Sequence, residues 1–334
     1  MKFKYLAAVA LIALAPTAQA QDAQKAQAMV TAWQDWATAR AIPATSIAVG
    51  YRGQIIASAG HGRSPSEPYA LASLSKAITA TCLLQVLREN GITVDQTLGD
   101  IAQHFAREGI TIPPDVSEIP LNALFTMSSG LSPDTTQGTF LFHRNKETPN
   151  NSRFARYAVA PNARTGTFGD YYYNNGNYAL LGSLLDALTQ TDNVTACRDR
   201  VFPPQNRSSV GFNPEWVRFA AFGGWEASAE DYLGFVMQNF GADTQIAKTP
   251  TAFPNLPLTH KISYGLGTFF SHKRGRSTFW HTGAICNFGF ADNGSYFAQY
   301  ANGYAVVVNY DICGATKNWR PLDEALYDAA HQNE

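Results

Sequence analysis

One buried helix with a polar head limits most strongly what this chain can fold into. From about Ser73 to Asn90 the apolar residues Ile78, Cys82, Leu83, Val86 and Leu87 recur at helical spacing, and Gly91 supplies a stop. A helix of this kind has to be covered along its apolar face, so other elements must assemble on it. Its first turn reads Leu71-Ala72-Ser73-Leu74-Ser75-Lys76-Ala77. Residues three apart share a helix face, which sets the Lys76 amine beside the Ser73 hydroxyl. A serine hydroxyl is a poor nucleophile at neutral pH, and a deprotonated amine next to it can take its proton. For that role an amine with an ordinary pKa near 10.4 must fall by roughly three units, about 4 kcal/mol, through burial and nearby positive charge. The same spacing also arises by chance, so the remaining chain has to decide its meaning.

The N-terminus opens Met1-Lys2-Phe3-Lys4, continues almost wholly apolar from Leu6 to Ala15, and ends Ala18-Gln19-Ala20. Two lysines, a short apolar run and a small-x-small end predict a secretory signal peptide over residues 1–20, cleaved after Ala20. The run is short for a membrane span, which takes about 20 apolar residues. A periplasmic or secreted protein is expected, with residues 21–334 forming a single catalytic domain. The net charge of −1 gives no footprint for nucleic acid. With 45% apolar and only 15% charged residues, the chain has the material for a sizeable core or an apolar groove.

Four cysteines, Cys82, Cys197, Cys286 and Cys313, would travel to an oxidising compartment. Their spacing does not form a close pair of the zinc-binding kind, and no metal or organic cofactor is expected. Cys82, inside the apolar helix, is expected to be an unpaired buried thiol. Cys286 and Cys313 fall near the ends of two candidate strands, where a disulfide is compatible; the sequence leaves the connectivity open.

The remaining patterning predicts an amphipathic helix over Ala26 to Ala41 and a hairpin of Thr45 to Tyr51 with Gln54 to Ala59 around Arg52-Gly53. Further strands are predicted from Ser263, Ser277, Asn287, Tyr296 and Tyr304, with Asn293-Gly294 as a tight turn. Ser228 and Asp231 mark a helix start, Lys273-Arg274-Gly275-Arg276 reads as a solvated turn, and a last amphipathic helix runs from about Pro321 to Gln332. The long polar segment from Ser132 to Asp170 reads as a binding loop or lid.

Two further motifs carry chemistry. A phenol and an amide two residues apart lie on one side of an extended segment, a pattern met by Tyr172 with Asn174, Tyr173 with Asn175 and Tyr300 with Asn302. His281-Thr282-Gly283, at the end of a strand, offers an ionisable ring, a hydroxyl and a residue without a side chain.

In this order and at these intervals, Ser73-x-x-Lys76, Tyr173-x-Asn175 and His281-Thr282-Gly283 resemble the serine β-lactamase and penicillin-binding superfamily. The resemblance is to the branch holding class C β-lactamases, DD-peptidases, D-aminopeptidases and esterases. Supporting matches run through most of the chain: Thr126-Met127-Ser128-Ser129-Gly130-Leu131, Tyr178-Ala179-Leu180-Leu181-Gly182, Gly223-Gly224 with Ser228 and Asp231, and Tyr264-Gly265-Leu266-Gly267. Tyr178, five residues after the motif tyrosine, selects Tyr173 and Asn175 among the three pairs.

The resemblance implies an α+β, transpeptidase-like fold: an antiparallel sheet from residues 21–70 and 260–334, flanked by N- and C-terminal helices, with a mostly helical region over 71–259. It also implies an acyl-enzyme on Ser73, with Lys76 and Tyr173 sharing the proton transfers. Asn175 would hold Lys76 and the substrate amide, and the backbone N–H groups of Ser73 and Ala284 would form the oxyanion hole. His281, with Thr282 and Gly283 beside it, would support Tyr173 and meet a substrate carboxylate. The branch's β-lactamases carry lysine where this chain has His281, and Arg164-Thr165-Gly166 replaces the usual Pro-Gly before the tyrosine motif. The expected activity is therefore a peptidase or esterase acting on a small-molecule or peptide carbonyl compound, including D-amino-acid peptides. A true β-lactamase and a non-catalytic scaffold that binds peptidoglycan fragments or a partner are the alternatives.

Overall fold

The computed structural model describes residues 18–332 except 139, 145–146, 162–163 and 287–291. The predicted export segment and the strand expected from Asn287 therefore fall largely or wholly outside the described residues. In chain order the strands are β1 (Thr45–Tyr51), β2 (Gln54–His61), β3 (Tyr69–Ala70), β4 (Gly211–Phe212), β5 (Trp225–Ala227), β6 (Leu256–Pro257), β7 (Ser263–Gly265), β8 (Thr268–Lys273), β9 (Arg276–Ile285), β10 (Asn293–Gln299) and β11 (Tyr304–Tyr310). Eight of them form one antiparallel sheet in the order β2-β1-β11-β10-β9-β8-β7-β6, and β3, β5 and β4 make a small second sheet. The architecture is α+β, with the large sheet drawn from both ends of the chain.

Alternation along β11 explains why this sheet is covered on both faces. Val306 and Val308 join Met29, Trp33, Ile47 and Leu322 in one core, while Ala305 and Val307 join Ile78, Leu83 and Phe235 in another. The first core lies under the helices Ala18–Ala39 and Thr316–Ala330; the second lies under the helical region between the two halves of the sheet. The serine-bearing helix, buried from Ser75 to Leu83, runs through this second core.

Several expectations are corrected here. Ser73 lies in a 3-10 turn, Ala72–Leu74, and the α-helix proper runs Ser75–Glu89. Among the described residues the N-terminal helix is already present at Ala18, ahead of the expected start near Ala26. The last helix begins at Thr316 with Pro321 inside it, in the second turn, where the missing N–H leaves one rung of the ladder unmade. Asn293 and Gly294 do not turn the chain but open β10, opposite Ile285 and Ala284. Gly294 serves close packing instead, since a Cβ there would stand 1.9 Å from the Tyr310 ring.

Cys82 is not a free thiol. It is joined to Cys197 with 5.5 Å between the Cα atoms, linking the serine-bearing helix to the helix Asn193–Val201 across 115 residues of sequence. Only the packing of those two helices brings the cysteines together, so the pairing leaves no local signal. Cys286 and Cys313 are also bonded, as their strand-end positions allowed.

Candidate active site

Ser73 follows a strained residue. Ala72 is buried with φ 47, in the left-handed region that residues other than glycine rarely occupy. The turn is held from three sides. Ser295 of β10 donates its hydroxyl to the Leu71 carbonyl at 2.7 Å, Tyr232 donates to the Leu74 carbonyl at 3.0 Å, and the Leu71 N–H reaches the Trp225 carbonyl at 2.8 Å. Gly283 completes the fit. A Cβ there would lie 2.2 Å from the Ser295 hydroxyl and 2.4 Å from the Leu71 carbonyl, so β9 can press against the serine turn only without a side chain.

Lys76 is wholly buried, and its Nζ lies 3.0 Å from the Ser73 Oγ and 2.9 Å from the Phe222 carbonyl. The short helix Ala220–Gly223 presents that carbonyl and is tied to the serine-bearing helix by Thr79, which donates to the Ala221 carbonyl at 2.8 Å. Burial lowers the Lys76 pKa from 10.5 to about 7, and the negative charge of Asp134 only partly opposes it. Near neutral pH much of the amine is therefore free to accept a proton.

Tyr173 lies above this pair, with the Lys76 Nζ 4.9 Å from the centre of its ring. Of the three tyrosine–asparagine pairs, this is the one in the groove with Ser73. Tyr172 is 44% exposed, and Asn174 caps the helix Asn175–Thr189 by accepting from the Gly176 N–H at 2.7 Å. Desolvation raises the Tyr173 pKa well above that of an ordinary phenol, an effect the nearby Ser73 hydroxyl partly offsets. The phenol thus stays protonated, and its oxygen is buried without a completed hydrogen bond.

Asn175 lies at the head of its helix but does not hold Lys76. Its Nδ2 donates to Thr136 Oγ1 at 2.8 Å, while its Oδ1 is buried without a partner in the groove wall. Behind it stands Asp134, 7% exposed, which the sequence reading missed. Its carboxylate accepts from the Thr136 N–H at 3.0 Å and hydroxyl at 2.7 Å, from Gln137 Nε2 at 2.9 Å and from the Asn175 N–H at 3.2 Å. The available signal was Pro133-Asp134 followed two residues later by Thr136, the sequence of an Asx turn. The long segment was read as a lid or binding loop, and this part of it is a built wall of the site.

His281 is 3% exposed and lies against the Phe269 ring, with 5.5 Å between ring centres. Its Nδ1–H donates to the Thr282 carbonyl at 2.6 Å, which leaves Nε2 as a lone-pair acceptor, buried and unpartnered. Burial and the Lys76 charge push its pKa down to about 3, so the ring is neutral. The expected meeting with a substrate carboxylate therefore has no imidazolium behind it. Trp280 is the last β9 residue paired with β8; beyond it, among the described residues, the strand through Ile285 pairs with β10 alone. That free edge carries Thr282 and Ala284, both lining the groove with Ser73. Ala284 of the strand edge and Ser73 of the serine turn thus line one groove from two separate elements.

The loop before the tyrosine motif is tied down despite its unusual sequence. Gly166 N–H reaches the Gly130 carbonyl at 3.0 Å, and Thr165 donates to the Ser132 carbonyl at 2.8 Å. Met127 is buried with its sulfur against the Asn174 N–H and Asn177 Nδ2, a packing role. Among the described residues no His, Cys, Asp and Glu cluster could hold a metal ion, and no helix is long and apolar enough to cross a membrane.

Solved structures share this fold at low sequence identity. A D-stereospecific amidohydrolase from Streptomyces sp. superposes with a TM-score of 0.66 at 18% identity, over 92% of this chain and 99% of that one. The D-amino acid amidase from Ochrobactrum anthropi SV3, complexed with D-phenylalanine, gives 0.67 at 15% identity over 91% and 99%. A β-lactamase/D-alanine carboxypeptidase from Pseudomonas syringae gives 0.67 at 15% identity over 93% and 99%. No curated protein matches the sequence significantly. The family comparison reaches further than these likenesses of shape: residues 21–318 match the Beta-lactamase family model, and the chain belongs to that family of serine hydrolases.

Proposed function

We propose that this protein is an exported serine hydrolase that cleaves an amide or ester bond through an acyl-enzyme on Ser73. One observation carries the reading: a buried lysine whose amine, with a pKa of about 7, lies 3.0 Å from a serine hydroxyl. The neutral Lys76 amine takes the Ser73 proton as Oγ attacks the substrate carbonyl, and the oxyanion forms toward the N–H groups of Ser73 and Ala284. Collapse of the tetrahedral species breaks the bond to the leaving group. That group leaves with a proton from protonated Lys76, relayed by the Tyr173 phenol. Water then attacks the acyl-enzyme by the same route in reverse, giving a free acid and restoring Ser73. The N-terminal segment, with its two lysines, apolar run and Ala18-Gln19-Ala20 end, supports export, as do two disulfides.

Within this class the reading favours a peptidase, amidase or esterase over a β-lactamase. The neutral His281 gives no standing grip on a penicillin carboxylate, and solved neighbours titled as D-amino acid amidase and D-stereospecific amidohydrolase share the fold. The test is intact mass spectrometry of the mature protein with benzylpenicillin, followed from seconds to hours beside Ser73→Ala, with the drug assayed in the same tube. The expected result is unconsumed penicillin or a slowly lost adduct, absent in the variant. Rapid consumption of the drug would make the protein a β-lactamase, and an adduct on the Ser73→Ala protein would end the acyl-enzyme reading.

A further inference from the structure

We infer that the groove takes an uncharged substrate: an ester or amide with an aromatic or apolar acyl part and no carboxylate on the leaving group. This rests on the acyl-enzyme reading above and adds to it the chemistry of the substrate. The groove has a volume of about 750 Å³, and among the described residues lining it there is no Lys, Arg, Asp or Glu. Its walls away from the reacting groups are mostly apolar, with Tyr171, Phe219, Phe222, Phe269, Ile285 and Trp319 beside the neutral polar Gln137 and Thr316. Aromatic walls without countercharge favour a desolvated aromatic or aliphatic group and penalise a desolvated ion.

The groups around the serine point the same way. At the place where a cation would meet the leaving group's carboxylate, His281 presents the Nε2 lone pair, because its N–H is spent on the Thr282 carbonyl. A carboxylate there faces a lone pair rather than a donor. Lys76, beneath Ser73, is kept partly neutral by desolvation alone. A second negative charge in the groove would act as Asp134 does and favour the protonated amine, removing the base the reaction needs. A bound carboxylate would thus lack a partner and weaken the catalyst. The Oδ1 of Asn175, buried and unpartnered in the same wall, is a neutral acceptor for an amide N–H of the acyl part.

The experiment compares two esters that share one scissile bond: phenylacetylglycyl esters of glycolic acid and of glycolamide. They lack a stereocentre and differ in whether the leaving group carries a carboxylate. An aryl fluorophosphonate, which labels an activated serine whatever the substrate preference, is read in parallel on the wild type and Ser73→Ala. The expected result is labelling of Ser73 and a kcat/KM on the order of 100-fold higher for the glycolamide ester, the scale set by an unpaired desolvated charge. Labelling with equal or faster cleavage of the acid ester overturns the inference, as does labelling with no cleavage of the amide ester. Absence of labelling overturns the acyl-enzyme reading itself, and the inference with it.

Discussion

The Nζ of Lys76 lies 3.0 Å from the Oγ of Ser73, and among the described residues no carboxylate forms a salt bridge with that amine. A lysine usually keeps its charge by pairing; this one is paired instead with a hydroxyl and the Phe222 carbonyl and loses its charge near neutrality. Acylation of Ser73 should therefore follow the neutral form of Lys76. The rate constant rises about tenfold per pH unit below a midpoint at about 7 and levels off above it. Tyr173, raised well above an ordinary phenol, and His281, lowered to about 3, add no further step between pH 5 and 9. Stopped-flow labelling by a fluorophosphonate across this range checks it, and a midpoint near 10 would show that the amine is an ordinary one.

Keeping that amine neutral costs stability. The unfolded chain binds a proton on Lys76 below pH 10.5, whereas the folded protein does so only below about 7. The destabilisation is therefore full below pH 7 and is lost as pH rises through 10.5. The 3.5-unit gap corresponds to about 5 kcal/mol well below pH 7 and about 4 kcal/mol at pH 7, where half of the folded amine is neutral; two hydrogen bonds of about 1 kcal/mol each are set aside. Lys76→Met, which abolishes activity, is expected to be more stable than the wild type by about 2 kcal/mol at pH 7. Denaturant melts at pH 7 and pH 10 measure it, and the gain should vanish at the higher pH.

Much of this site was legible before the fold. Ser73 and Lys76 share a turn, so spacing alone places them together, and Tyr178 picks out Tyr173. Asp134 left only the local signal of an Asx turn, while the Phe222 carbonyl and the Cys82–Cys197 bond were not legible, because each depends on segments far apart in sequence meeting across the second core. The neutrality of His281 belongs to the tertiary structure as well, since its cause is burial between Tyr173 and Phe269. Asn293-Gly294 misled for a related reason, since a glycine required by the Tyr310 ring reads locally like one required by a turn.

Asp134 acts on the reaction without touching the groups that react. Its charge raises the Lys76 pKa, and its oxygens hold Thr136 and the Asn175 N–H. In Asp134→Asn the acid midpoint of acylation is expected to move to lower pH, because the remaining influence on Lys76 is desolvation. The variant should also bind substrate more weakly, since an amide cannot accept from all four donors and Asn175 loses its anchor. A pH–rate profile separates the two effects: a weaker KM with an unmoved midpoint would leave Asp134 a purely structural residue.

The Cys82–Cys197 bond closes a long loop in the unfolded chain and joins two helices beneath the site. Replacing both cysteines by alanine should cost about 3 kcal/mol, most of it through the freed unfolded state. Activity at low temperature should persist, because neither sulfur reaches the groove. Chemical denaturation of the double variant, beside the wild type with and without reductant, measures the loss. An unchanged midpoint would mean that the bond is not formed in the folded protein.

Gly283 decides whether the serine turn and the strand edge can meet. An added Cβ would fall 2.2 Å from Ser295 Oγ and 2.4 Å from the Leu71 carbonyl. Gly283→Ala must therefore push β9 away from the turn that carries Ser73, and with it the Ala284 N–H. A displacement near 1 Å at a reacting group costs about 100-fold in rate, so kcat is expected to fall by that order. The disturbance is local, since the strand remains paired with β10, and the melting midpoint should move far less than activity does. Removing the side-chain half of the clash in Gly283→Ala/Ser295→Ala is not expected to restore the rate, because the Leu71 carbonyl still stands in the way and its clamp from Ser295 is lost. Steady-state kinetics of the two variants decide it; full activity in Gly283→Ala would show that the edge of β9 does not hold the oxyanion.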